Sequence, residues 1–203
     1  ESYIHYLKIA NDARYRDLNY IFETDRLHFE SILETFSKYS PIEKEFVSDY
    51  PTPIFIVGMM RSGTTLVERL ISQHHRVTAL GELEDLRLSI NAGHTHCPND
   101  LPKILKYMRE KYFKSISQFD VNTEFFTDKM PVNFRYIGYI LSAIPWAKVI
   151  HIKRSAAATC WSNYSHFFSS PGNGYAYNLK DTIKYYEQYM QLMKFWSREY
   201  EDQ

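Results

Sequence analysis

Apolar residues along the chain occur either in short continuous runs or at helical spacing. The continuous runs predict strands at residues 53–58, 77–80, 125–128 and 147–152. The first run is apolar throughout, which is typical of a parallel strand buried on both faces. Recurrence every three or four residues predicts helices at 63–74, 82–91, 102–114, 132–144, 155–169 and 178–200. This alternation indicates an α/β fold in which helices flank a central parallel sheet.

The region before the first strand has a different pattern. Residues 1–39 are polar and aromatic, with apolar side chains at helical spacing, and they predict two helices. The second is expected near 25–38, with Asp25 as its N-cap. Residues 40–52 contain two prolines and several charges, which is typical of a linker. The predicted parts are an N-terminal helical segment, 1–40, and a main domain, 41–203.

Two local predictions concern side chains in the main domain. Leu66, Leu70 and Ile71 share one face of the helix at 63–74. Residues 93–102 are predicted to form a polar loop. That loop holds His94, His96 and Cys97, but no fourth ligand stands at a motif spacing, so no metal requirement is predicted.

Composition narrows the class of protein. The chain has 203 residues and a formal net charge of zero, so no long-range field favours nucleic acid or an anionic membrane. Any anion site must be local. Two distant cysteines predict no disulfide framework, and the apolar runs are too short to span a membrane. We expect a cytoplasmic protein, although a chain that starts at Glu1 can have lost an upstream signal or anchor. Oligomeric state is left open.

The most informative segment follows the first strand. Gly58 and Gly63 have the spacing of the G-x-x-x-x-G-K-[ST] loop that binds nucleotide phosphates. Thr64 occupies the position of the lysine that contacts the β- and γ-phosphates, and a cation occurs three residues earlier, at Arg61. The segment therefore predicts a phosphate-binding loop for a donor other than ATP.

The residue types of this loop suit an anion. Backbone N–H groups and the N-terminus of the following helix converge on one point in a strand–loop–helix unit. Ser62, Thr64 and Thr65 add hydroxyl donors, and Arg61 adds a permanently charged fork. A plain strand–helix turn with an exposed arginine is the alternative.

Four segments in order resemble the PAPS-dependent sulfotransferases. They are Gly58-Met59-Met60-Arg61-Ser62-Gly63-Thr64-Thr65-Leu66, Ser72-Gln73-His74-His75 with Gly81-Glu82, Asp128-Lys129-Met130-Pro131, and Val149 to Arg154 with Ser162. The chain is most similar to the bacterial type found behind tetratricopeptide repeats and more distantly resembles tyrosylprotein sulfotransferase. Met60 and His75 replace prolines of the family pattern. The resemblance also implies a P-loop-like three-layer fold and a domain that lacks part of its C-terminal end.

The resemblance implies roles for residues in these segments. Arg61, Ser62, Gly63, Thr64 and Thr65 would hold the 5′-phosphosulfate, and Arg154 with Ser162 would hold the 3′-phosphate of PAPS or of its product PAP. Lys129 would contact the transferring group. Glu82, at the carboxyl end of the second strand, is the candidate general base.

Structural roles remain open for some of these residues. Glu82 also suits the N-terminus of a helix, and nearby Glu84 is an alternative base. Lys129 also suits a surface position. Asn163-Tyr164-Ser165 fits a glycosylation sequon, but it falls within a predicted helix beside the site.

The predicted activity is transfer of a sulfuryl group from PAPS to a hydroxyl or amine by in-line displacement. The acceptor, whether peptide, carbohydrate or small molecule, is not indicated by any motif. A kinase-like phosphotransferase is an alternative, disfavoured by Thr64 in the lysine position. A non-catalytic scaffold derived from a sulfotransferase is a third reading. We expect residues 1–40 and the segments at 93–101 and 165–178 to shape the acceptor side.

Overall fold

A computed structural model describes residues 2–39 and 50–200 of the chain. Two helices come first, α1 (Ser2–Leu18) and α2 (Phe22–Ser37). The main part then alternates strands and helices: β1 (Thr52–Gly58), α3 (Thr64–Ile71), β2 (Val77–Ala79), α4 (Asp85–His96), α5 (Leu101–Ile116), β3 (Phe125–Asp128), α6 (Ile137–Ala143), β4 (Lys148–Ile152), α7 (Ala156–Tyr164) and α8 (Leu179–Glu199). Two 3-10 helices, Pro131–Tyr136 and Pro171–Tyr177, precede α6 and α8.

The four strands form one parallel sheet in the order β2-β3-β1-β4. Strand β1 lies in the interior of the sheet, where Ile54 is opposite Thr127 of β3 and Lys148 of β4. Residues 53–58 are buried, as their uninterrupted apolar run predicts. Helices flank the sheet, so the predicted α/β class with a central parallel sheet is confirmed.

Aromatic side chains join the N-terminal helices to the rest of the core. Phe36 of α2 packs edge-on against Trp196 of α8, with ring centroids 5.3 Å apart. From α1, the side-chain amide of Asn11 donates to the backbone carbonyl of Tyr164, at the end of α7, at 2.7 Å. Both N-terminal helices therefore contact helices of the main domain.

Side-chain caps start two of the helices. Asp100 accepts from the backbone N–H of Lys103 at the start of α5, and Asn178 accepts from the N–H groups of Lys180 and Asp181 at the start of α8. The prediction that Asp25 is the N-cap of α2 is wrong, because that helix already begins at Phe22. Asp25 lies in the first turn and accepts from the Tyr20 hydroxyl at 2.7 Å.

The predicted loop at 93–102 is wrong for residues 93–96, which are helical, and the helix predicted at 82–91 is present with both ends displaced. Helix α4 begins later, at Asp85, and continues to His96. A Cβ on Gly93 would lie 3.0 Å from the Ile104 side chain, so this glycine serves the close packing of α4 on α5 rather than a helix end. His94 pairs with the Tyr139 hydroxyl at 2.9 Å, and His96 stacks on Tyr107.

Helix α3 turns only part of its predicted apolar face inwards, because Ile71 is half-buried whereas the two leucines of that face are not. Leu66 and Leu70 are 63% and 64% exposed, whereas Thr64 and Glu68 are buried. Buried polar side chains in this orientation need hydrogen-bond partners. The partners of Thr64 and Glu68 therefore help to set which face of α3 points inwards.

Other boundaries shift by a few residues. Helix α7 ends at Tyr164 rather than near 169, and the helix predicted at 132–144 begins as the 3-10 turn. Most of the predicted linker, residues 40–49, lies outside the described residues, while Thr52 already belongs to β1. Within residues 2–39 and 50–200, no helix combines the length and apolar character needed to cross a bilayer.

Candidate functional site

The loop between β1 and α3 has the backbone conformation of an anion cradle. Arg61 and Gly63 have φ angles of 67° and 107°, in the left-handed region. A non-glycine residue in this region is uncommon and often marks a functional turn. Such turns direct successive N–H groups to one side, and here they lead into the N-terminus of α3.

Gly58 is required for a close approach. A Cβ built on this residue would lie 2.5 Å from the backbone oxygen of Ile152, the last residue of β4. Only a glycine therefore allows the start of the loop to pass this close to the neighbouring strand.

A cavity of about 310 Å³ opens at the carboxyl ends of the strands, next to this loop. Its volume is at the lower end of the range of ligand pockets. The residues that line it are Met60, Arg61, Gly63, Thr64, Thr65, Glu82, Pro131, Arg154 and Ser162. Seven of the residues singled out in the sequence are thus brought together around one space.

Ser62 and Lys129 are the two candidate residues that do not line the cavity. Ser62 is buried, and its hydroxyl lies beside Gly58, 2.8 Å from a Cβ built there. Its backbone N–H donates to the carbonyl of Met59 at 3.2 Å. The Ser62 side chain therefore lies on the side of the loop next to Gly58 and not in the cavity lining.

Lys129 does not line the cavity itself but is paired with Glu82, which does. Its ammonium forms an ion pair with the Glu82 carboxylate, and its backbone N–H donates to the carbonyl of Gly81 at 2.8 Å. The side chain of Lys129 is only 6% exposed, while that of Glu82 is 49% exposed. The alternative of a surface lysine is thereby excluded, and Glu82 precedes α4 rather than lying in its first turn.

The two predicted anion-binding ends are adjacent. The Nε of Arg61 donates to the hydroxyl of Ser162 at 3.4 Å, although these residues were assigned to different phosphates. Arg154 is exposed at the end of β4 and lines the same cavity. The guanidinium groups of Arg61 and Arg154 and the hydroxyl of Ser162 thus border one cavity.

Asn163, the first residue of the sequon, has a structural role at the site. Its amide nitrogen donates to the carbonyls of Met60 (2.8 Å) and Thr159 (2.9 Å), and its oxygen accepts from the Tyr175 hydroxyl at 3.4 Å. It is fully buried, so its amide is not accessible for glycosylation. Its position next to Ser162 was the available signal.

Two more residues near the site lie outside the four segments that resemble the family. His166, just after α7, has a pKa below its ordinary value because of partial burial and the nearby charge of Arg61. Glu68 is buried on α3 and accepts from Gly81 and Thr127. No sequence motif indicates either residue, because the groups with which they interact are distant along the chain.

Asp128 fixes the strand end that carries Lys129. Its carboxyl oxygens accept from the Tyr112 hydroxyl at 2.9 Å and the Asn133 amide at 3.3 Å. Complete burial, assisted by the charges of Asp85 and Glu68, raises the pKa of Asp128 to about 8. Across the described ranges, no cluster of three or more His, Cys, Asp or Glu side chains has a metal-binding arrangement.

A glycine-bounded loop at the carboxyl edge of a parallel sheet is typical of a P-loop-like α/β protein, and a carboxylate–ammonium pair lies beside it. The model of the sulfotransferase family matches residues 53–203, and the chain belongs to that family. An uncharacterized protein of Aquifex aeolicus (strain VF5) is 29% identical over 209 residues, covering 93% of this chain. The chain spans 27% of the length of that relative.

Proposed function

We propose that this chain transfers a sulfuryl group from PAPS to a hydroxyl or amine acceptor. The observation that carries the proposal is the shared cavity, where two arginines and the phosphate loop meet Glu82 and its partner Lys129. Membership of the sulfotransferase family supports a transferase of this class.

The residues present fit such a donor. Arg61, the loop N–H groups and the hydroxyls of Thr64 and Thr65 suit a phosphosulfate, and Arg154 suits a second phosphate. Ser162 is bonded to Arg61 and lines the same cavity as Arg154. An ordinary nucleotide kinase is disfavoured because Thr64 replaces the lysine that would contact a γ-phosphate.

The chemistry asks two things of the protein. In the transfer, the sulfur–oxygen bond to the donor phosphate breaks, a bond forms between sulfur and the acceptor, and the acceptor loses a proton. Glu82 is half exposed at the cavity and takes that proton in our proposal. Lys129 and Arg61 stabilise the negative charge that develops on the oxygens, a contribution of a few kcal/mol per well-placed donor.

Titration calorimetry with PAP tests the donor assignment. We expect saturable binding that Arg154→Ala weakens by about tenfold or more, because a charge-assisted bond is lost. Lys153→Ala, a neighbouring exposed cation outside the cavity lining, is the matched control and should bind like the wild type. Preferential binding of ATP with Mg²⁺ would contradict the proposal and favour the phosphotransferase.

A panel of phenols, sugars and tyrosyl peptides with labelled PAPS tests turnover. Once an acceptor is found, we expect Glu82→Gln to lower kcat by about 10²–10⁴-fold, with PAP affinity nearly unchanged. Glu84→Gln is the control, because Glu84 pairs with Arg87 away from the cavity lining. PAP binding without sulfation of any acceptor class would favour the non-catalytic scaffold.

A further inference from the structure

Glu68 is a buried carboxylate on the helix that starts at the phosphate loop. It lies one turn after Thr64, on the same inward face of α3, and is 7% exposed. Its Oε1 accepts two hydrogen bonds, from the backbone N–H of Gly81 at 3.1 Å and from the Thr127 hydroxyl at 2.8 Å. A single oxygen atom therefore joins α3 to strand β3 and to the segment that follows β2.

These two segments carry the pair at the cavity. Gly81 immediately precedes Glu82, and its carbonyl accepts from the backbone N–H of Lys129 at 2.8 Å. The N–H of Leu80 donates to the carbonyl of Thr127 at 3.2 Å. The segments are thus bonded to each other by their backbones, and Glu68 bonds both of them to α3.

The burial of Glu68 is unusual for a helix with an apolar stripe. Placing a carboxylate inside costs free energy unless it is hydrogen-bonded, while Leu66 and Leu70 of the same helix remain exposed. The charge also lies close enough to Asp128 to favour the neutral form of that residue. Apolar packing alone would favour Leu66 or Leu70 over Glu68 at the inward position.

We propose that Glu68 is a positioning residue that holds the Glu82–Lys129 pair at a fixed place relative to the phosphate loop. This inference deepens the proposed function and rests on it for its effect on catalysis. Because α3 begins at Thr64, which lines the cavity, its rigid first turns link the donor side to the acceptor side. In-line transfer depends on that spacing, and a displacement of about 1 Å can cost about 10²-fold in rate.

Three variants at this position separate its charge, reach and bonding. Glu68→Gln keeps an oxygen acceptor of the same shape, Glu68→Asp keeps the charge but shortens the reach, and Glu68→Ala removes both. Arg69→Ala, an exposed neighbour on the same helix, is the matched control. Circular dichroism and thermal unfolding identify any variant that fails to fold, in which case Glu68→Asp replaces Glu68→Ala.

The first readout is hydrogen exchange, which needs no donor or acceptor. We expect Glu68→Ala to accelerate amide exchange by about tenfold or more in residues 79–83 and 127–131, as local opening becomes easier. Glu68→Gln and Arg69→Ala should resemble the wild type. Unchanged exchange in both segments of Glu68→Ala would overturn the structural role.

The second readout is the split between turnover and donor binding. We expect Glu68→Ala to lower kcat by about 10- to 100-fold while the Kd for PAP changes less than about threefold, with recovery in Glu68→Gln. A loss of PAP affinity in proportion to kcat would show that Glu68 acts through the phosphate loop and would overturn the proposal. If the wild type binds no PAP, the proposed function fails, and the exchange data still decide whether Glu68 holds the two segments.

Discussion

The carboxylate of Glu82 is paired with the ammonium of Lys129, and the two residues follow the ends of neighbouring strands. Lys129 is nearly buried, whereas Glu82 is half exposed at the cavity. The ammonium therefore depends on Glu82 for neutralisation more than the carboxylate depends on Lys129. In the proposed reaction, the acceptor proton arrives at the more exposed member of this pair.

Loss of Glu82 should destabilise the fold as well as remove a base. Glu82→Ala leaves a nearly buried ammonium without its partner, and we expect a loss of about 1–2 kcal/mol, reduced from the fully buried case because Glu82 is half exposed. Urea unfolding measures this. Glu84→Ala breaks an exposed pair with Arg87 and should cost less than about 0.5 kcal/mol. Equal losses in the two variants would mean that the Glu82–Lys129 pair stabilises the fold no more than the exposed Glu84–Arg87 pair does.

The bond from Asn163 to Met60 should control the shape of the phosphate loop. Asn163→Ala removes a buried amide that donates to two carbonyls, so we expect a loss of about 1–3 kcal/mol. We also expect PAP affinity to fall by about tenfold, because the cradle loses its support. Asn91→Ala, at an exposed helical position, is the control. PAP affinity equal to that of the wild type would show that the loop keeps its shape without this bond.

Steric exclusion at Gly58 gives a third prediction. Gly58→Ala would place a Cβ 2.5 Å from the oxygen of Ile152, so β1 and β4 must separate or the loop must shift. We expect thermal unfolding to show a loss of more than about 2 kcal/mol, together with loss of PAP binding. Gly172→Ala adds a Cβ at an ordinary 3.6 Å from the Ser170 hydroxyl and should be nearly neutral. A stable Gly58→Ala variant that binds PAP normally would contradict this prediction.

The buried carboxyl of Asp128 should make stability depend on pH. Its pKa is about 8 in the folded protein and about 3.9 in an unfolded chain, so the folded state holds a proton that the unfolded state releases. The contribution is fully present below about pH 4 and is lost as the pH rises through about 8, with a slope of at most about 1.4 kcal/mol per pH unit.

Urea unfolding between pH 5 and pH 8 measures this slope for Asp128→Asn, in which we expect it to disappear. Asp120→Asn, at an exposed position, should keep the dependence of the wild type. A slope unchanged by Asp128→Asn would assign the pH dependence to other groups.

Local sequence features predicted the parallel sheet and the convergence of the site. An uninterrupted apolar run specifies a buried strand, and parallel strands bring their carboxyl ends to one edge, so the loop, Glu82 and Arg154 meet there. The spacing of Gly58 and Gly63 was enough to locate the cradle, because these positions meet local backbone demands.

Features decided by partners distant in sequence were not predicted. The apolar face of α3 predicted inward positions for Leu66, Leu70 and Ile71, but with Glu68 bonded to Gly81 and Thr127 the two leucines are exposed and only Ile71 is half-buried. Gly93 resembled a helix end and proved to be a packing position against Ile104. Asp25 resembled a cap but forms an ion pair with Arg135, 3.5 Å away. In each case, a contact across the fold overrides the local preference.

The contacts of α1 and α2 bear on how this protein is cut for study. The family match starts at residue 53, yet Phe36 packs on Trp196 and Asn11 bonds the end of the helix that carries Ser162. A recombinant fragment that began at residue 53 would expose the aromatic surface of α8 to water. It would also remove the Asn11 amide that donates to the carbonyl of Tyr164. Such a fragment would invite aggregation, and low activity in it would say little about the intact site.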